Sequence, residues 1–147
     1  MRERFAATFA RLQEQARASG REMVQSEVMS NTGRALEASE YAREQGEHEQ
    51  FHEVVFRKLF GEGQDIGNWE VLRAAAIEVG LDAEEMQQRV DTGMYRLAVQ
   101  EQTRRAQSLG LSGVPTFVFD DTYAVVGAQP FAAFEQVMAH LGQAPRS

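Results

Sequence analysis

One stretch breaks the helical rhythm of this chain: Ser112-Gly-Val-Pro-Thr-Phe-Val-Phe-Asp-Asp-Thr-Tyr-Ala-Val-Val-Gly-Ala-Gln-Pro130. Two short runs, Thr116 to Phe119 and Tyr123 to Val126, are rich in aromatic and β-branched residues, and Asp120-Asp121-Thr122 parts them. That pattern predicts a strand, a tight turn and a second strand. A Val-Pro step leads in, and Pro130 suits the first turn of a following helix, where its missing N–H costs nothing. The constraint on the fold is severe. A lone two-stranded hairpin is marginal in water, and its edges are open to further pairing. The chain offers at most one weak further strand, so either helices cover the hairpin or strands come from a second copy of the chain.

The remaining sequence reads as helices. Phe5, Phe9, Leu12 and Ala16 fall at helical spacing, with Gly20 as the stop. Val24, Ser26 and Val28 alternate with their neighbours, so Glu22 to Met29 is either a short strand or an extended linker. Asn31 or Thr32 can cap a helix running to about Gly46. Phe51, Val54, Val55 and Leu59 share one face of the next helix, which stops at Gly61-Glu-Gly63. Asn68 can cap a helix with Leu72, Ala75, Ala76 and Val79 inward and Gly80 as its break. Asp82-Ala-Glu-Glu85 is an Asp version of a capping box, with Met86 and Val90 behind it. A longer helix is expected from about Thr92 to Leu109, carrying Tyr95, Ala98, Val99, Gln102 and Ala106 on one side. The last helix is expected to bury Phe131, Phe134, Val137, Met138 and Leu141, with Ala144 to Ser147 as a tail.

Composition removes several function classes. A net charge of −7 argues against a nucleic-acid surface, since phosphate contacts need clustered Lys and Arg. No apolar run approaches the roughly 20 residues that span a bilayer. Glu3, Arg11 and Glu14 interrupt any apolar core of a signal peptide. The 147 residues contain no cysteine, which excludes disulfides, thiolate metal ligands and thiol nucleophiles within them. No cofactor is indicated.

Leu109-Gly-Leu-Ser-Gly-Val-Pro-Thr-Phe-Val-Phe, then Tyr123-Ala-Val-Val-Gly-Ala-Gln-Pro130 and Phe134, resemble the C-terminal part of DsbA-like thioredoxin-fold proteins. The subgroup most resembled is the cytoplasmic FrnE type, related to the 2-hydroxychromene-2-carboxylate isomerases. Leu36-Glu-Ala-Ser-Glu-Tyr-Ala-Arg-Glu-Gln-Gly46, Gly61-Glu-Gly-Gln-Asp-Ile-Gly67 and Val79-Gly-Leu-Asp-Ala-Glu-Glu85 resemble its inserted helical domain. The resemblance implies a mostly helical α+β chain: a helical insertion domain over residues 1–110, and the C-terminal hairpin and helix of a thioredoxin-like fold over residues 111–147, forming one compact unit. It also implies a cytoplasmic protein.

In that family a strand, a Cys-x-x-Cys helix and a second strand precede the insertion, and this chain begins at what corresponds to the insertion's first helix. The family activity would be protein-disulfide oxidation or glutathione-dependent isomerisation. The catalytic Cys or Ser of that opening unit maps to no residue here, so the expectation is a truncated, cysteine-free relative without dithiol activity of its own. In the family the Val-Pro bond is cis and lies beside the catalytic cysteine, and the residue before the proline pairs its backbone with an extended substrate. Those roles fall on Val114 and Pro115, with a thiol or an extended peptide as the ligand. The plainer reading of the same step is a rigid start to a strand, because Pro fixes its φ and lacks a donor. The expected partner is a second copy of the chain, held through unpaired strand edges as a dimer or other homo-oligomer, with neither nucleic acid nor membrane.

Other constellations compete. His48-Glu-Gln-Phe-His52 matches the H-E-x-x-H pattern, in which two imidazoles one turn apart hold zinc and Glu49 activates a bound water. Glu70 is the one tempting third ligand, so a zinc hydrolase is the distant alternative. Against it, Glu47, Glu49, Gln50 and Glu53 read as a solvated face. Ser112 has no evident base, since His140 lies on the last helix, and reads as a turn or cap residue. Asp120 and Asp121 make a turn, not a calcium loop. Trp69 and the scattered methionines read as packing.

Overall fold

The computed structural model describes residues 2–26, 28–111 and 113–143, with backbone alone for residues 2–8. The side chain of Phe5, the turn residue Ser112 and the tail 144–147 lie outside the described residues. The chain divides into two compact units, Met1–Glu101 and Gln102–Ser147. The division falls within a helix, where the sequence suggested a domain boundary after residue 110.

The first unit is a helical cluster: α1 (Arg2–Ala18), α2 (Gly33–Glu44), α3 (His48–Phe56) continued by a π-helical turn (Arg57–Gly61), α4 (Trp69–Glu78), α5 (Ala83–Asp91) and the start of α6 (Arg96–Ser108). Its core joins Tyr41 from α2, Phe51 from α3, Leu72 from α4 and Met86 from α5, and Ala38, Ala42, Ala75 and Ala76 let these helices approach. α2 packs on α3 and α5, and α4 packs on α3 and α5. On α3, α4 and α5 the expected inward faces are the observed ones, with Leu59 and Val79 only partly buried. Of the expected face of α1, Phe9 and Ala16 are half-buried and Leu12 is exposed. The described residues of the segment after α1 form no strand. They run as an extended linker, fastened to the π-helical turn by Val24 N–H donating to the Phe60 carbonyl at 2.7 Å.

Local chemistry explains the helix starts. Asn31 Oδ1 accepts from Gly33 N–H ahead of α2, while Thr32 makes no side-chain cap. Asn68 Oδ1 accepts from Glu70 N–H, and Asp82 Oδ1 accepts from Glu84 and Glu85 N–H. The helix expected from Thr92 begins only at Arg96. Gly93 adopts a φ of +76°, which L side chains rarely take, and the chain turns there before restarting.

The second unit holds the end of α6, the antiparallel strands β1 (Thr116–Phe119) and β2 (Tyr123–Val126), and α7 (Phe131–His140). The register pairs Thr116 with Val126 and Phe119 with Tyr123. Asp120 and Asp121 both have a φ of +50°, and Thr122 N–H returns to the Phe119 carbonyl. Paired positive φ values match the right-handed twist of the strands, and Asp tolerates them. Phe134 of α7 meets Phe117 edge-on at 4.9 Å and Phe119 at 6.2 Å. The expected core of α7 is corrected in part: Phe131 is 76% and Met138 38% exposed, and no described residue of the unit is fully buried. One α-helix over one two-stranded hairpin covers only the stripe through Phe134.

Candidate functional site

The Val-Pro step sits at the mouth of the hairpin. The Val114–Pro115 peptide is cis, and the Pro115 carbonyl accepts from Gly127 N–H at 2.7 Å, which ties the step to the far strand. Thr116 Oγ1 donates to the Gly113 carbonyl at 2.7 Å and closes the loop from the other side. Val114 itself is 94% exposed, and among the described residues nothing bonds to its N–H or carbonyl. An exposed backbone donor and acceptor at a strand end is the chemistry that accepts an added extended peptide. Val114 and Pro115 therefore form a shelf: one side anchored to Gly127 just past β2, the other open.

The His48–His52 pair is on α3, in the other unit. His48 is already engaged by the protein. Its Nε2 is 3.0 Å from Nη2 of Arg43, which can only donate, and its Nδ1 is 3.2 Å from the Ser39 carbonyl, which can only accept. The partners thus assign Nδ1 as donor and Nε2 as acceptor. His52 stacks on Phe56 with ring centroids 4.2 Å apart. Burial first, then the neighbouring His48, holds its pKa below the usual imidazole value. Glu70 serves the first turn of α4 beside its cap, Asn68. Among the described residues no three His, Cys, Asp or Glu side chains gather where a metal could sit. The H-E-x-x-H spacing is present without the third ligand or a free imidazole pair.

Two features escape a reading by motif. The first is a polar network on the α2–α5 seam. Tyr41 donates to Glu85 at 3.0 Å, Arg89 joins Glu85 at 2.7 Å and Glu44 at 3.2 Å, and Tyr95 donates to Glu44 at 2.5 Å. Burial, then Glu85, pushes the Tyr41 phenol up to about 12. Burial and the Glu44 contact raise Tyr95 also, while the Tyr95 hydrogen bond holds the Glu44 carboxyl down. Every hydroxyl, guanidinium and carboxylate of the network has a partner within it, so it reads as structural, with one negative charge in excess of Arg89. The second feature is a cleft of about 1150 Å³ in the helical unit, walled by α3, the π-helical turn and the linker after α1. Its signal in the sequence is a second apolar stripe on α3, off the core face: His52, Phe56 and Phe60 at every fourth residue.

Comparison with known proteins agrees on one relationship. The family described as DSBA-like thioredoxin domain matches residues 1–139. A curated relative, the uncharacterized protein YwbO of Bacillus subtilis (strain 168), is 29% identical over 109 residues, which make 74% of this chain and 54% of that protein. Among solved structures, the probable DsbA oxidoreductase SCO1869 from Streptomyces coelicolor superposes with a TM-score of 0.88 at 30% identity, over 100% of this chain and 64% of that one. The chain thus spans about half the length of the curated relative and under two thirds of the solved one.

Proposed function

The chain belongs to the DsbA-like thioredoxin-domain family, and from that premise we propose that it is the substrate-presenting portion of a thiol–disulfide oxidoreductase of the FrnE type. The observation that carries this reading is the open shelf at Val114, whose backbone is unpaired among the described residues beside an anchored Pro115. An extended, cysteine-bearing peptide would add its backbone there as a short strand. The dithiol step cannot come from these 147 residues, which hold no cysteine. Alone, the chain binds without exchanging disulfides.

The test separates binding from chemistry. In an insulin-reduction assay the chain alone should show no catalysis above buffer. Titration with an extended cysteine-containing peptide, followed by amide NMR, should shift Gly113, Val114 and Thr116. Insulin reduction by the cysteine-free chain would end this reading, and so would peptide-induced shifts confined to the helices.

A second reading rests on a different observation. β1 and β2 form a two-stranded sheet, and Phe117, Val118 and Val126 are exposed on it. Self-association through these strands, giving a non-catalytic assembly module, would extend the sheet and cover its edges. Light scattering at micromolar concentration is expected to show a dimer, and a stable monomer would exclude this.

A further inference from the structure

α3 has two faces. One carries Phe51, Val54 and Val55 into the core. The other carries rings in a ladder: His48 to His52 at 5.8 Å, His52 to Phe56 at 4.2 Å and Phe56 to Phe60 at 5.4 Å. Phe56 and Phe60 are 49% and 41% exposed, although both are large and apolar. The ladder runs on through the π-helical turn, a local widening that recurs at functional sites. Its rings His52, Phe56 and Phe60 line the cleft of about 1150 Å³ together with Ala16 and Met23. Gln13 Nε2 donates to the Met23 carbonyl at 2.9 Å, and the Val24–Phe60 bond pins the linker, so this part of the lining is held in place.

The charges around the cleft select its ligand. Arg21 and Arg57 face Glu22, Glu53, Glu62 and Glu78, two cations against four anions, a formal charge of −2. Arg57 is not available to an anion. It contacts Glu62 and grips both oxygens of Glu78 at 2.6 and 2.8 Å. Its two partners leave one negative charge in excess beside the rings. A phosphate or carboxylate ligand would meet that excess, with Arg21 the one other cation of the lining to answer it. A neutral apolar ligand would leave the excess unanswered. Aromatic rings beside acidic side chains favour a cation with an apolar body, whose body gains contact with the rings and whose head gains ion pairing.

We propose that this cleft is a binding site for an amphipathic organic cation of the arylalkylammonium class, its apolar body on Phe56 and Phe60 and its ammonium toward Glu53 and the Glu62–Glu78 pair. The site is lined by residues of the helical unit alone. The probe is phenylbutylammonium, compared with phenylbutanol and phenylbutyrate by calorimetry and amide NMR on the full chain. The amine should bind saturably, shift amides between Glu53 and Glu62, and weaken as salt rises. The alcohol should bind more weakly and the carboxylate least. Glu53→Gln, an exposed and isosteric change, should weaken the amine about threefold. Phe56→Leu, which keeps an apolar residue on the helix but removes the ring contact, should weaken it about fivefold. The proposal is overturned if the amine does not bind, if the carboxylate binds as well as the amine, if the shifts map elsewhere, or if either variant binds like the parent.

Discussion

Tyr41 has almost no exposed surface, and its hydroxyl is reconciled with burial by one acceptor, Glu85 at 3.0 Å. Tyr41→Phe deletes the donor and leaves Glu85 still held by Arg89. The expected loss is about 1 kcal/mol, read from the urea midpoint at neutral pH. The phenol also marks itself by titration. Its folded pKa, about 12, lies above the ordinary 10.0. Its contribution is therefore complete below pH 10.0 and disappears as the pH rises toward 12. A spectrophotometric titration should show one late-ionising tyrosine fewer in the variant, with the raised Tyr95 remaining. His52 works in the opposite sense. Its folded pKa lies below 6.5, because of burial and then His48. As the pH falls below 6.5 the unfolded chain takes up a proton that the folded chain resists, so stability declines through that window. His52→Phe keeps a ring on Phe56 and removes the proton site. Melting temperatures between pH 7.5 and 5.5 should fall less in the variant than in the parent. An equal fall would assign the acid sensitivity elsewhere.

At the scale of elements, starts were easier to read than burial. Asn68 and Asp82 cap α4 and α5 because a cap needs only a side chain and N–H groups two or three residues ahead, all visible in sequence. Asp82→Ala leaves both N–H groups of the first turn without that acceptor. It should cost about 1 kcal/mol by chemical denaturation, and Asp82→Asn should recover most of it. A variant as stable as the parent would show that water replaces the cap. The other half of the capping box did not form as written. Glu85 turns its carboxylate to Tyr41 and Arg89, partners 44 and 4 residues away, and a local pattern cannot weigh a distant tyrosine. Burial on α7 failed for the same reason. Phe131 and Phe134 share one helical stripe, but only Phe134 has Phe117 and Phe119 opposite it. The hairpin behind Val114 and Pro115 was legible because strand, turn and proline are adjacent in sequence. The ladder on α3 was present at every fourth residue, but which of two apolar faces enters the core is decided by α2 and α4.

Across the whole molecule, stability is unevenly supplied. Every fully buried apolar residue among the described ones lies between Ala35 and Tyr95. The second unit holds the hairpin and α7 with half-buried contacts alone, and a two-stranded sheet is marginal without a better-covered face. Local opening follows local burial, so hydrogen exchange should divide the chain. Amides of Ala38 to Ala42, Leu72 to Ala76 and Met86 to Val90 should be the slowest. Those of Thr116 to Val126 should exchange faster, by an order of magnitude or more where opening costs about 1.4 kcal/mol less. The comparison also discriminates between the two functional readings. If the strands self-associate, hairpin protection should rise with protein concentration, because pairing draws on a bimolecular equilibrium. If Val114 awaits a peptide instead, protection should be independent of concentration and rise only when an extended peptide is added. Slow hairpin exchange in a dilute monomer without peptide would contradict both, and would mean that α7 alone stabilises the sheet more than its half-buried contacts account for.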